Sequence, residues 1–245
     1  MPINRKIMGV KRGIVFTGAL SGTSTIATAT KPYGICISAD GASVYTSNET
    51  SQSLNIFTRN TSTGSLSGTS TIANTSASFG VCISPNGANV YTVTAADTCS
   101  YFTRNTNTGA LSGLSTIATQ WNPRGVCISS NGASVYVTNT GAVGNNISIF
   151  TRNTSTGSLS GTSTIATGTA PQGICISADG TSVYTANSSS SNVSIFTRNT
   201  STGALTAAGT IAAGSGPYGI CISADGTSVY AANQTSNTVS IFTRS

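Results

Sequence analysis

The stretch GICISADG, from Gly34 to Gly41, decides the fold because it does not occur only once. Relatives begin at Gly80 (GVCISPNG), Gly125 (GVCISSNG), Gly173 (GICISADG) and Gly219 (GICISADG), at spacings of 46, 45, 48 and 46 residues. An insertion around residues 141–146 lengthens the third interval. No segment carries apolar residues at the i, i+3, i+4, i+7 spacing of a helix. A repeat of this period without helical spacing points to propeller blades.

Working outward from the octapeptide, each unit resolves into four short strands. Strand A is Ile35-Cys36-Ile37-Ser38 and its copies. It ends in Asp-Gly or Asn-Gly, as at Asp40-Gly41 and Asn131-Gly132, a pair suited to the positive φ of a tight hairpin. Strand B follows, as in Ser134-Val135-Tyr136-Val137-Thr138, then a polar loop of variable length. Strand C carries Ile149-Phe150-Thr151-Arg152 and its copies, and an Asn-Thr-Ser-Thr-Gly turn leads into strand D, for example residues 158–166. The β-branched and aromatic residues that favour strands recur in step with this scheme.

The ends of the chain set an expectation about closure. A strand D, residues 18–28, precedes the first strand A, and the fifth strand C is followed only by Ser245. The sequence therefore predicts an all-β, five-bladed β-propeller of four-stranded blades, closed by the N-terminal strand pairing with the last blade. Such pairing removes an open sheet edge; the alternative is a spare strand that enters a neighbouring molecule. Residues 16–245 are read as the propeller. Residues 1–15 match no repeat and are read as an N-terminal attachment arm, with four of the eleven bases among Ile3, Ile7, Met8, Val10, Ile14 and Val15.

Composition narrows the classes of function. Charged residues make up 7% of the chain, against about 25% in an ordinary soluble domain. The net charge of +6 owes much to Arg5, Lys6, Lys11 and Arg12; beyond them seven bases face five acids. That balance does not build the clustered basic face of a nucleic-acid binder. No apolar run approaches the ~20 residues of a membrane span, and no secretory signal is visible.

The inventory of chemistry is short. There is no histidine, so Ser-His-Asp catalysis and the commonest metal ligand are absent. Of the five acids, Asp40, Asp179 and Asp225 belong to Asp-Gly turns, while Glu49 and Asp97 sit in B–C loops of adjacent blades, where a carboxylate pair could bind a cation or act in acid–base work. Cys36, Cys82, Cys127, Cys175 and Cys221 share one position in strand A and read as buried, reduced thiols between blades, with Cys99 another core residue. Arg59, Arg104, Arg152, Arg198 and Arg244 each end strand C; they read as ties to the A–B turn, or as a ring that docks an anion.

Variation between the copies singles out one face. The A–B and C–D turns are nearly uniform, whereas the residue before the strand A glycine is Tyr33, Phe79, Arg124, Gln172 or Tyr218. Trp121, the sole tryptophan, lies in the third D–A loop on that face. Variable loops on a fixed scaffold are where recognition resides. These six residues are the candidate ligand-binding set, suited to a glycan or a protein partner. No catalytic residue, metal site or cofactor is expected.

Tyr136-Val137-Thr138-Asn139 spells YVTN, with Tyr45-Thr46-Ser47-Asn48, Tyr184-Thr185-Ala186-Asn187 and Tyr230-Ala231-Ala232-Asn233 as variants and Tyr91-Thr92-Val93-Thr94 as a departure. Together with GICISADG this resembles the YVTN-repeat family of β-propellers, itself similar to lactonase-type propellers. The resemblance covers residues 16–245. It implies the propeller fold, and it embraces both archaeal cell-surface-layer proteins and lactonase-like enzymes, whose usual blade number is seven. The composition favours a non-enzymatic structural or recognition subunit on a virus particle or cell surface. In that reading residues 1–15 join other copies of the chain or another surface protein, without nucleic acid or membrane insertion. The alternative is a lactonase-like hydrolase.

Overall fold

Every Asp-Gly or Asn-Gly pair makes the turn its chemistry suggests. Gly41, Gly87, Gly132, Gly180 and Gly226 have φ between 68° and 73°, a region that side chains with a Cβ rarely enter. The turns join short strands into blades. The computed structural model describes residues 24–141 and 144–244. Blade one is β1 (Pro32–Ile37), β2 (Ser43–Asn48), β3 (Ser53–Arg59) and β4 (Leu66–Ala73). Blade two is β5 (Ser78–Ile83), β6 (Asn89–Thr94), β7 (Thr98–Arg104) and β8 (Leu111–Ala118). Blade three is β9 (Pro123–Ile128), β10 (Ser134–Asn139), β11 (Asn146–Arg152) and β12 (Leu159–Ala166). Blade four is β13 (Pro171–Ile176), β14 (Ser182–Asn187), β15 (Asn192–Arg198) and β16 (Leu205–Ala212). Blade five is β17 (Pro217–Ile222), β18 (Ser228–Asn233) and β19 (Thr238–Thr243). Each sheet is an antiparallel meander, with the inner strands β1, β5, β9, β13 and β17 side by side around the axis. The architecture is the predicted one, an all-β propeller of five blades.

Blades stack through unlike faces. The face of blade one bearing Tyr45, Leu54 and Ile56 meets Val81, Val90 and Phe102 of blade two. The same pairing recurs between blades two and three, three and four, and four and five. Cys99 is buried, and Cys36, Cys82, Cys127 and Cys175 lie partly buried at these interfaces as free thiols. Burial pushes Cys36, Cys99 and Cys175 up to about 12. Cys221 departs from the expectation: it is exposed, because no following blade covers its face.

A polar tie accompanies each apolar contact. Tyr136 in blade three donates its hydroxyl to the carbonyl of Gly203 in the C–D turn of blade four (2.7 Å) and accepts a bond from Arg198 Nε of blade four (2.5 Å). Arg198 also donates to Gly180 O and Ser134 Oγ. Tyr91 with Arg152 and Gly157, and Tyr45 with Arg104 and Gly109, repeat the arrangement. Arg104, Arg152 and Arg198 are 3–4% exposed, so they are ties to turns and not an anion-docking ring. A buried bond to a charged group contributes about 1.5–3 kcal/mol.

The fifth interface is open. Ile35 and Ile37 on blade one and Val239 and Ile241 on blade five are 50–72% exposed. Among the described residues the Arg59 side chain donates to Gly41 O of its own blade and to no group of another blade. The sequence assigns residues 18–28 to the fourth strand of blade five. Of these, residues 18–23 lie outside the described residues, as does the expected arm 1–15, and residues 24–28 carry no strand pairing. Among the described residues, no helix is long and apolar enough to cross a membrane.

Close approach at the axis yields a direct test. A Cβ on Gly125 would lie 2.5 Å from the carbonyl oxygen of Gln172 in the next blade. Gly125→Ala is expected to destabilise the fold by about 1–3 kcal/mol through overpacking, seen as a lower urea midpoint with an unchanged slope. An unchanged midpoint would show that the inner strands are not in this contact.

Candidate functional site

The five variable residues sit on backbone irregularities that repeat from blade to blade. In blade three Pro123 pairs with Asn139 and Val126 with Val137, so Arg124 and Gly125 share a bulge of one extra residue. The register shifts at the same place in every inner strand. A bulge takes side chains out of the regular alternation and re-aims them. Lys31, Asn122 and Ala170, each just before a strand's opening proline, hold φ of 56–60°. Hydroxyls fix the bulges: Thr138 Oγ1 accepts from Gly125 N and donates to Gln172 O, both at 2.8 Å, and Ser47 does the same between Gly34 and Phe79.

The result is a side-chain cluster on the axis. Tyr33 and Tyr218, from the first and fifth blades, are hydrogen-bonded through their hydroxyls. Tyr33 meets Phe79 edge-on at 5.3 Å, and the Arg124 guanidinium lies 4.1 Å from the Phe79 ring centre. Gln172 holds the equivalent position between Arg124 and Tyr218; its Oε1 is buried and has no hydrogen-bond partner among the described residues. Beside Tyr218 a cleft of about 600 Å³ opens to solvent, edged by Asn233, Gln234, Asn237 and Thr238.

Of the six candidate residues, the structure thus joins Tyr33, Phe79, Arg124 and Tyr218 by direct contact and seats Gln172 among them. Trp121 is not part of the cluster: it is 62% exposed, and its backbone packs on Gly141 in the neighbouring loop. Glu49 and Asp97 each take a separate partner. Glu49 pairs with Lys31 at 2.8 Å, and Asp97 Oδ1 accepts from Asn122 N. The Glu49 charge is the least of the influences on Tyr33. Among the described residues no three His, Cys, Asp or Glu side chains gather.

Electrostatics define what the cluster can do. Burial, then the bond to Tyr218 and the proximity of its charge, push the Tyr33 phenol well above its ordinary range; Arg124 opposes the shift and Glu49 adds to it. Tyr33 is therefore a protonated donor at neutral pH and not a base. Arg124 supplies fixed positive charge from its seat over the buried Phe79 ring.

The model of the lactonase family, described as a seven-bladed β-propeller, matches residues 67–172, 113–220 and 166–245. The chain belongs to this family. Successive matches begin about one blade apart, so what they share is the blade of a lactonase propeller. Solved structures with the same fold include a putative 6-phosphogluconolactonase from Bacteroides uniformis ATCC 8492 (TM-score 0.75, 21% identity, covering 85% of this chain and 66% of that one). One from Bacteroides fragilis NCTC 9343 gives a TM-score of 0.73 at 23% identity, covering 85% and 65%. The periplasmic gluconolactonase of Pseudomonas aeruginosa gives 0.73 at 19%, covering 87% and 66%. The chain spans about two thirds of the length of these proteins. No curated protein matches in sequence.

Lactonase membership corrects the functional expectation. A non-enzymatic structural or recognition subunit of a virion or cell surface is not what this family match supports. The physical reason lies in the weight given to histidine: its absence removes imidazole chemistry but leaves phenol and guanidinium donors.

An alkaline titration checks the Tyr33 environment. Its folded pKa lies above the unfolded value of ~10, so its stabilising contribution is full below that pH and is lost as pH rises through the folded pKa. In the native protein, Tyr33→Phe should leave the number of phenols ionising near pH ~10 unchanged in ultraviolet difference spectra. Loss of one such phenol would contradict the buried, hydrogen-bonded assignment.

Proposed function

We propose that this lactonase-family propeller hydrolyses a sugar lactone at the axial cluster. The observation that carries the reading is the convergence of a hydrogen-bonded phenol pair and a guanidinium on the axis of a lactonase-type propeller. The substrate class is suggested by the structural neighbours described as gluconolactonase and 6-phosphogluconolactonase.

In the reaction, water adds to the lactone carbonyl carbon and the carbonyl electrons move onto oxygen. Collapse of that oxyanion breaks the ring C–O bond. The leaving oxygen takes up a proton to become a hydroxyl, and the acid product loses one to become a carboxylate. The Tyr33–Tyr218 pair, with one O–H already spent between the two phenols, donates its remaining hydrogen bond to the developing oxyanion, where one preorganised donor is worth ~10²–10³ in kcat. Arg124 balances the charge of the oxyanion or of a phosphate on the sugar. Gln172 Oε1 accepts from water or a sugar hydroxyl. Asn233, Gln234 and Asn237 along the cleft offer amides to the remaining hydroxyls.

The test is turnover of gluconolactone and 6-phosphogluconolactone above the spontaneous rate. Tyr33→Phe is expected to lower kcat by about 10²-fold, and Arg124→Met to lower kcat/KM, more for the phosphorylated substrate. Background rates for both lactones with the folded wild-type chain would overturn the proposal.

A further inference from the structure

Of the six arginines among the described residues, five end strand C and donate to the carbonyl of an A–B turn, at Gly41, Gly87, Gly132, Gly180 or Gly226. Arg124 is the exception. It sits on β9, over the Phe79 ring at 4.1 Å, and stays partly exposed. Among the described residues it forms no ion pair and donates no hydrogen bond. The two loop acids of this face are committed elsewhere, Glu49 to Lys31 and Asp97 to Asn122 N. A guanidinium held over an aromatic ring with its N–H donors unused is suited to an anion.

A second unmet group lies on the next inner strand. Gln172 holds on β13 the position that Arg124 holds on β9, and its Oε1 is buried without a partner among the described residues. Thr138 couples the two positions: its Oγ1 accepts from Gly125 N, next to Arg124, and donates to Gln172 O, both at 2.8 Å. The axial cluster therefore presents an unpaired cation and an unpaired acceptor on adjacent strands. A neutral lactone brings no charge to the first, and its ring oxygen has no proton for the second. Ring opening changes both. The ester carbonyl becomes a carboxylate, ionised at neutral pH, and the ring oxygen becomes a hydroxyl that can donate.

We propose that the axial site holds the open-chain sugar acid that its own reaction releases, with the carboxylate on Arg124 and a hydroxyl on Gln172 Oε1, and that the acid competes there with the lactone. This inference rests on the lactonase reading of the site. A hydrogen bond to a charged partner is about twice as strong as one between neutral groups, so Arg124 favours the acid over the neutral lactone. Donors placed for the oxyanion of the transition state meet the charge of a carboxylate as well. The site is thus regulated by its product. Turnover slows as the acid accumulates, and it is sustained only where a following reaction consumes a sugar acid.

Isothermal titration calorimetry of the full chain at neutral pH, with gluconate as the probe, tests the assignment without turnover. The comparisons are glucitol, a neutral polyol with the same carbon chain, and acetate, a carboxylate without hydroxyls. Gluconate should bind at least about tenfold more tightly than either. In Arg124→Met, checked for an unchanged Tm, gluconate should fall to the affinity of glucitol. Equal binding of gluconate and glucitol by the wild-type chain would overturn the proposal whether or not the variant folds. Acetate binding as tightly as gluconate would overturn it too, as would a gluconate preference that survives in Arg124→Met. A gluconate preference without lactone turnover would support the acid site and sink the lactonase reading; lactone turnover without that preference would sink the acid site alone.

Discussion

Each blade of this propeller is finished by the next one. A tyrosine on one face reaches across to a turn carbonyl and receives the arginine of the neighbouring blade, as Tyr136 does with Gly203 and Arg198. The arginine in turn holds the A–B turn of its own blade through Gly180 O. One buried group therefore satisfies two turns and the apolar contact between sheets. Removing either partner strands a buried donor or acceptor, which is more damaging than the loss of one surface bond. The same dependence explains the seam: blades one and five carry the two halves of an interface, and the exposed Ile241 and Ile35 mark where it is unmade.

The stacking also creates the candidate site. Inner strands approach closely enough that Gly34, Gly80, Gly125 and Gly173 face a carbonyl of the next blade at under 3 Å from a notional Cβ, and the residue before each of these glycines lies in a bulge. Those bulged positions are the ones whose identity varies. The scaffold thus holds its spacing with glycine and hydroxyls while five side chains at the axis differ freely. Tyr33, Phe79, Arg124, Gln172 and Tyr218 make an uneven ring from an even fold, which is how a repeated architecture obtains an asymmetric chemical site.

Blade number and strand order were legible in the sequence because the repeat recurs five times and its turns are marked by Asp-Gly and Asn-Gly. The variable positions before each glycine were legible by comparing copies. Their convergence was not, since it depends on the register shift between Pro123 and Val126, which no spacing displays. Trp121 stands apart for a related reason: its D–A loop does not bring the side chain to the axial cluster, and it is exposed on the loop face. The reading of function went astray where it let the missing histidine and the scarce acids outweigh the lactonase resemblance, which the family match supports. The YVTN letters gain distinct duties only in three dimensions. Tyr136 ties blades, Val137 packs in the core, Thr138 bridges bulges, and Asn139 binds Asn146 and Ser148 within the blade.

The central claim is that the tyrosine–arginine tie couples one blade to the next. A double-mutant cycle on Tyr136→Phe and Arg198→Met, followed by urea unfolding, measures it most directly. A coupling energy of about 1 kcal/mol or more, within the 0.5–3 kcal/mol range of interacting neighbours, is the predicted result. Additive effects of the two substitutions would contradict the account, because blades held by apolar contact alone have no use for the pair.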